Sequence, residues 1–251
     1  MSMGQQELVQ LVTERHGLPV LIFEGDQADP DGFSWADART RALKRQGVKI
    51  VGCFHGLAPK EVVHASGTLP VQLVEDRDAR YEAKSGILPF LCGMSKNLAG
   101  QIASKVFDSL DGVMASTVCD TNRHMLDIWV HQRTFPNHWL VRAPAKDDAG
   151  AINFFANELR RLAAELGAVS GTPATDDGLG ESIALFNESR SLFRRFYDVR
   201  PTAGVSAEDA VYVFASALAT PVAEHNALMR ECSPRCPTMG SSPTRSSCSL
   251  C

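Results

Sequence analysis

Apolar and polar positions along the first 200 residues alternate between two periods. Residues 49–54 (KIVGCF) form a short, nearly continuous apolar run, the pattern of a strand covered on both faces. Residues 19–23, 112–115 and 139–141 read the same way, and 71–74 more weakly. Amphipathic stretches lie between them. ELVQLVTERHG ends at Gly17, a plausible position just past a helix. Ser34 is placed to cap a helix through WADARTRALKRQ. Pro59 suits the first turn of a short helix. Residues 92–110 and HMLDIWVHQ complete the helical set of this part.

Strands alternating with helices predict an α/β fold, a parallel sheet with helices on its faces. After Asp148 only the helical period remains. Residues 149–166 predict one helix. A second starts near Asp176, with Leu179, Ile183, Phe186, Phe193 and Phe196 on one stripe, and a third covers 207–218. From Glu231 the chain turns to ECSPRCPTMGSSPTRSSCSLC, rich in Ser, Pro and Cys without an apolar period. Such a segment buries too little surface to offset its ordering entropy, so a disordered tail is expected over 231–251. The expected organisation is an initial segment over 1–47, an α/β domain over 48–148 and a helical segment over 149–230.

Composition changes this picture little. Hydrophobic residues are 44%, charged residues 22% and the net charge is -4, which asks for neither nucleic acid nor an anionic membrane as partner. The polar N-terminus does not read as a signal peptide, and no apolar run reaches the roughly 18 residues of a membrane span. A cytoplasmic location is the expectation. Disulfides are rare there, so the seven cysteines are expected to be free, buried, catalytic or metal-binding.

Two cysteines stand where a strand or loop hands over to a helix: Cys92 in LPFLCG and Cys119 in STVCDT. Helix N-termini favour the thiolate, and thiolates there suit soft metals and iron–sulfur clusters. On the residues alone, each also fits a small buried hydrophobe.

The surrounding words narrow the choice. Residues 49–73, KIVGCFHGLAPKEVVHASGTLPVQL, resemble the opening strand–helix–strand of 2-hydroxyacyl-CoA dehydratase and benzoyl-CoA reductase iron–sulfur subunits, most closely at 59–70, PKEVVHASGTLP. The segment at Cys92 and the Cys-Asp-Thr-x-Arg word at Cys119 to Arg123 follow in family order. So do Asp127-Ile128-Trp129, Asn187-Glu188-Ser189-Arg190 and Pro221 to Asn226 (PVAEHN), the last closest to the benzoyl-CoA reductase branch. The resemblance covers about 48–229.

It implies a [4Fe–4S] cluster held by three cysteines with one iron open. Two of the ligands would be Cys92 and Cys119. The third normally comes from a second α/β domain, for which no family-like sequence follows Arg230. Cys232, Cys236, Cys248 and Cys251 have a spacing that superficially suits zinc, though a foreign or frameshifted tail is the simpler reading. Glu61 and His64 share one helix face, so Glu61 is a candidate for proton transfer beside a bound thioester, against a solvated Glu and a capping or core His. Asp120 and Arg123 are candidates to orient the cluster loop or meet CoA phosphates, against a capping Asp and a surface Arg.

The implied partners are a second homologous subunit, an ATP-dependent activator protein and an acyl-CoA. The activator would inject an electron, a ketyl radical would form on the acyl group, and water would leave a (R)-2-hydroxyacyl-CoA to give an enoyl-CoA. In the reductase branch an aromatic ring is reduced instead. Residues 17–41 resemble the closing segment of a subunit of the same family, Glu24, Asp26 and Asp29 included. That order suggests a fusion of two neighbouring subunits, or a circular permutation. Two readings of other classes stand beside the enzyme: an inactive fragment or non-catalytic partner, and a plain α/β domain binding CoA. No G-x-G-x-x-G or P-loop string supports a nucleotide.

Overall fold

A computed structural model of the chain describes residues 35–54, 57–75, 91–132, 134–203, 205, 207–218 and 220–232. The expected helix before Gly17, the strand at 19–23, the part of the family-like segment 17–41 that precedes Trp35, the Ser34 cap and the tail after Cys232 lie outside the described residues.

Among the described residues the element order is α1 (Trp35–Arg45), β1 (Lys49–Phe54), α2 (Lys60–Ala65), β2 (Thr68–Leu73), α3 (Gly93–Ala103), β3 (Gly112–Ser116), α4 (Asp120–His131), β4 (His138–Val141), α5 (Ala149–Ser170), α6 (Asp176–Val199), α7 (Ala207–Ser216) and α8 (Val222–Cys232). The strands form one parallel sheet in the order β2-β1-β3-β4. The α/β fold with a helical continuation is therefore the observed one.

Both faces of the sheet are covered, which explains the unbroken apolar runs. Ile50, Phe54, Val113 and Ala115 face one core with Leu98 of α3 and Met125 and Trp129 of α4. Val51 and Met114 face the other, with Val62 and Val63 of α2 and Leu162 and Leu166 of α5. Trp129 meets Phe54 and Phe135 edge-on, at 5.2 and 5.9 Å between ring centres.

Three elements depart from the sequence expectation. First, β2 begins at Thr68 and contains Pro70. A proline lacks the N–H for a second ladder, and β2 tolerates it because it pairs only with β1 and lies at the sheet edge. Second, α3 stops at Ala103 instead of continuing to 110. Lys105 turns to φ 63, and the chain curls so that Val106, Phe107 and Leu110 still reach the core. Third, α8 forms although no apolar period marks it. Its buried positions include His225 and Asn226, so its inner face is partly polar.

The loop after α7 returns to the sheet. The Gln72 N–H of β2 donates to the Leu218 carbonyl at 2.8 Å, which occupies one group of the exposed strand edge. Among the described residues no helix is long and apolar enough to cross a membrane.

Candidate functional site

The chain winds from β1 outward to β2, then crosses back to β3 on the other side of β1. Its direction of winding reverses between β1 and β3. In open parallel sheets ligands sit outside the strand C-termini at such a reversal. The two loops that flank it are those leaving β1 and β3. The first leads into Pro59 and Glu61, and the second is Thr117-Val118-Cys119.

Cys119 is the N-cap of α4, with extended backbone at φ −150, ψ 158. Cys92 is the N-cap of α3, at φ −62, ψ 151. Neither side chain closes its own cap, and both thiols are free and exposed. Helices α3 and α4 lie on the same sheet face and pack on each other. Gln101 of α3 donates to the Val74 carbonyl at 3.1 Å, just past the end of β2, and α4 follows the end of β3, so both helices meet the sheet on the side of the strand C-termini.

Each cysteine has a buried polar residue three positions later. Ser95 Oγ lies 3.1 Å from Cys92 Sγ and is fully buried. Asn122 is also fully buried, yet neither atom of its amide has a hydrogen-bond partner. Cys53, by contrast, is a core residue of β1. Burial pushes its thiol up to about 12, against the opposing charge of Lys60, so it is a small hydrophobe and no ligand.

Glu61 and His64 lie on α2, which covers the opposite sheet face. They are tied to α6. Arg190 pairs with the Glu61 carboxylate, and Asn187 accepts from Arg190 at 2.8 Å. The buried Ser182 hydroxyl donates to the Glu61 carbonyl at 2.8 Å, so it accepts from His64 Nδ1 at 3.1 Å. That assignment puts the His64 proton on Nδ1. Burial, with the Phe186 ring edge-on at 5.8 Å, lowers the His64 pKa and keeps the ring neutral.

Asp120 and Arg123 are exposed on the first turn of α4 beside Cys119. The structure thus gathers Cys119, Asp120 and Arg123 on one helix turn, with Cys92 on the neighbouring helix. Glu61 and His64 form a separate pair across the winding reversal. Ser182, Ser95 and Asn122 are not among the residues that the sequence reading selects. The constant spacing of three residues after each cysteine is the available signal for the last two.

The later family-like words join helices. Glu188 of α6 accepts two hydrogen bonds from Arg230 at 2.7 and 2.8 Å, and Asn226 Nδ2 donates to the Leu185 carbonyl at 3.0 Å. His225 stacks on Phe193 at 5.3 Å, and its Nε2 lies 3.2 Å from the Val213 carbonyl.

Two exposed thiols at helix N-termini on one sheet edge fit two ligands of an iron–sulfur cluster. The described residues contain no group of three or more His, Cys, Asp or Glu placed to hold a metal ion.

Compared with known proteins, the sequence profile described as 2-hydroxyglutaryl-CoA dehydratase, D-component, matches residues 56–245. The match runs past Arg230, where the recognisable sequence words end. One of the subunits of benzoyl-CoA reductase from Thauera aromatica is 28% identical over 197 residues, 73% of this chain and 49% of that protein. The beta subunit of (R)-2-hydroxyglutaryl-CoA dehydratase from Acidaminococcus fermentans is 26% identical over 157 residues, 61% of this chain and 41% of that protein. The beta subunit of lactoyl-CoA dehydratase from Anaerotignum propionicum is 27% identical over 154 residues, 61% and 41% respectively. The chain spans about half the length of the curated relatives it matches.

Proposed function

Because the chain belongs to the 2-hydroxyglutaryl-CoA dehydratase D-component family, we propose that it is an iron–sulfur subunit of an enzyme acting on acyl-CoA thioesters. The reaction proposed is radical dehydration of a (R)-2-hydroxyacyl-CoA to the enoyl-CoA. The observation that carries this reading is the pair of exposed cysteines, Cys92 and Cys119, each opening a helix at the edge of the strand C-termini. They would hold a [4Fe–4S] cluster together with a ligand not found among the described residues. When bound, such a cluster supplies one-electron chemistry and a Lewis-acidic iron for a substrate oxygen.

The chain's own residues have definable tasks. The N-termini of α3 and α4 bring backbone N–H groups and positive dipole ends to the two cysteines, where the negative charge of a bound cluster would sit. Arg123, exposed one turn from Cys119, is a candidate to meet a CoA phosphate, and Asp120 to hold the loop. Glu61 is a proton-transfer candidate only when its carboxylate leaves Arg190, so substrate binding would have to compete with that ion pair. His64 presents Nε2 as its remaining acceptor.

The proposed partners are a homologous second subunit and an ATP-dependent activator protein. The relatives' names, each a subunit of a larger enzyme, support this arrangement. A cytoplasmic location would suit such an oxygen-sensitive assembly.

The second reading is ATP-dependent aromatic ring reduction. It is favoured by the PVAEHN segment at 221–226 and by the similarity to the benzoyl-CoA reductase of Thauera aromatica. The test is anaerobic co-expression with the second subunit, then incubation with activator, ATP and each thioester, read by mass spectrometry. Loss of one water from the 2-hydroxyacyl-CoA supports the first reading. Gain of two hydrogens on benzoyl-CoA replaces it with the second. An assembly that turns over neither thioester contradicts both.

A further inference from the structure

Both cysteines are followed by the same local arrangement, and it points beyond the cysteines themselves. Each is an N-cap with an unclosed cap, and each has a fully buried polar side chain at the third helical position: Ser95 in α3 and Asn122 in α4. On a helix these two positions share a face. Side chains also lean toward the N-terminus, so the third residue reaches back over the cap. In α3 the contact is already made, at 3.1 Å between Ser95 Oγ and Cys92 Sγ. In α4 both amide atoms of Asn122 are buried with no partner.

A buried amide without hydrogen bonds has lost its water and gained nothing in exchange. Leucine has nearly the same volume and would carry no such cost. The polar side chain therefore points to a partner that is not part of this chain's own hydrogen-bonding network.

We propose that Ser95 and Asn122 are positioning residues that donate hydrogen bonds to the sulfur held at Cys92 and Cys119, the cysteine thiolate or a cluster sulfide beside it. The proposal deepens the cluster reading and rests on it for the sulfide. Its chemistry is that of charge-assisted bonds to sulfur, which stabilise the electron-rich form and so raise the reduction potential of a bound cluster. A hydroxyl and an amide N–H are both donors, whereas the polar atoms of Asp or Glu at these positions would repel a thiolate.

The experiment compares the full chain with Ser95→Ala, Ser95→Thr and Asn122→Leu. In metal-free protein at one neutral pH, iodoacetamide alkylation is followed peptide by peptide. Ser95→Ala should slow Cys92 about tenfold, the equivalent of one hydrogen bond to a charged group, and leave Cys119 unchanged. Ser95→Thr, which keeps the hydroxyl, should restore the rate. Asn122 makes no bond in the metal-free chain, so Asn122→Leu should leave both alkylation rates unchanged and show its effect only with the cluster in place.

In protein reconstituted with ferrous iron and sulfide, each loss should favour the oxidised cluster about tenfold at fixed potential, about 59 mV for one electron. Unchanged Cys92 alkylation in Ser95→Ala overturns the proposal for Ser95. A higher melting temperature in Asn122→Leu with an unchanged cluster potential, the signature of a plain packing site, overturns it for Asn122. Wild-type protein that takes up no iron removes the cluster reading and the role of Asn122 with it, and the Cys92 alkylation rate still decides the role of Ser95.

Discussion

His64 illustrates how much of a side chain's state is set far away in sequence. Its spacing from Glu61 was legible, because residues three apart share a helix face. Its partner Ser182, and Arg190 that pairs with Glu61, were not, since both lie more than a hundred positions along the chain. Ser182 gives its proton to the Glu61 carbonyl, so the imidazole must donate from Nδ1 and stays neutral. Burial lowers its pKa, and that of the buried His225 likewise. The folded pKa of each lies below the ordinary 6.5, so their contribution is complete above that value and is lost as pH falls through the folded pKa. Histidine NMR titration should show both rings protonating below the ordinary range; a ring titrating above it would contradict the assignment. Cys53 lay within the apolar run 49–54, read as a strand covered on both faces, and the structure buries it there. Peptide mapping of native protein should find Cys92 and Cys119 alkylated well before Cys53.

Among elements, β1, β3 and β4 were legible because a run covered on both faces has a simple signature, whereas β2 was read only from 71 because Pro70 interrupts its pattern. Helix α8 was not, because Asn226 and Arg230 face Glu188 and Leu185 across α6, so its contacts are polar at the positions where a period would show. The α2–α6 junction has the same character. Ser182→Ala should cost about 1–2 kcal/mol in denaturant unfolding, since it removes an acceptor from His64 and a donor to Glu61. A change below a few tenths would mean that the junction is carried by its apolar contacts alone.

Helix α5 is joined to β4 through Glu158, which is buried under Arg161 and Arg142. Hydrogen bonds from Arg161 outweigh burial and, with those from Arg142, bring its pKa from 4.5 to about 2. A depressed carboxylate stabilises the fold above its unfolded pKa, so this contribution should fade as pH falls from 4.5 toward 2. Glu158→Gln should lower the melting temperature at neutral pH and flatten that acid limb. An unchanged acid limb in the variant would place the sensitivity elsewhere.

At the scale of the molecule, the pattern of strands and helices was enough for the fold class, and the family words were enough for the lineage. The location of the site was not: the reversal of winding between β1 and β3 exists only once the strand order is known. That reversal separates the residues read from sequence into two groups, Glu61 and His64 on one sheet face and the cysteine helices on the other. Trp129, in the family-like Asp127-Ile128-Trp129 word, is a core residue between Phe54 and Phe135. Trp129→Ala should therefore cost about 3–5 kcal/mol of stability, read by denaturant unfolding, before it affects any chemistry.

Whether Cys92 and Cys119 hold an iron–sulfur cluster is decided most directly by purifying the full chain under strict anoxia. Iron and acid-labile sulfide are then measured in wild type, Cys92→Ala and Cys119→Ala. Brown protein with iron and sulfide in equal amounts is expected, with loss of both from either variant while the fold, read by circular dichroism, is kept. Colourless wild-type protein, or variants that keep their iron and sulfide, would contradict the cluster.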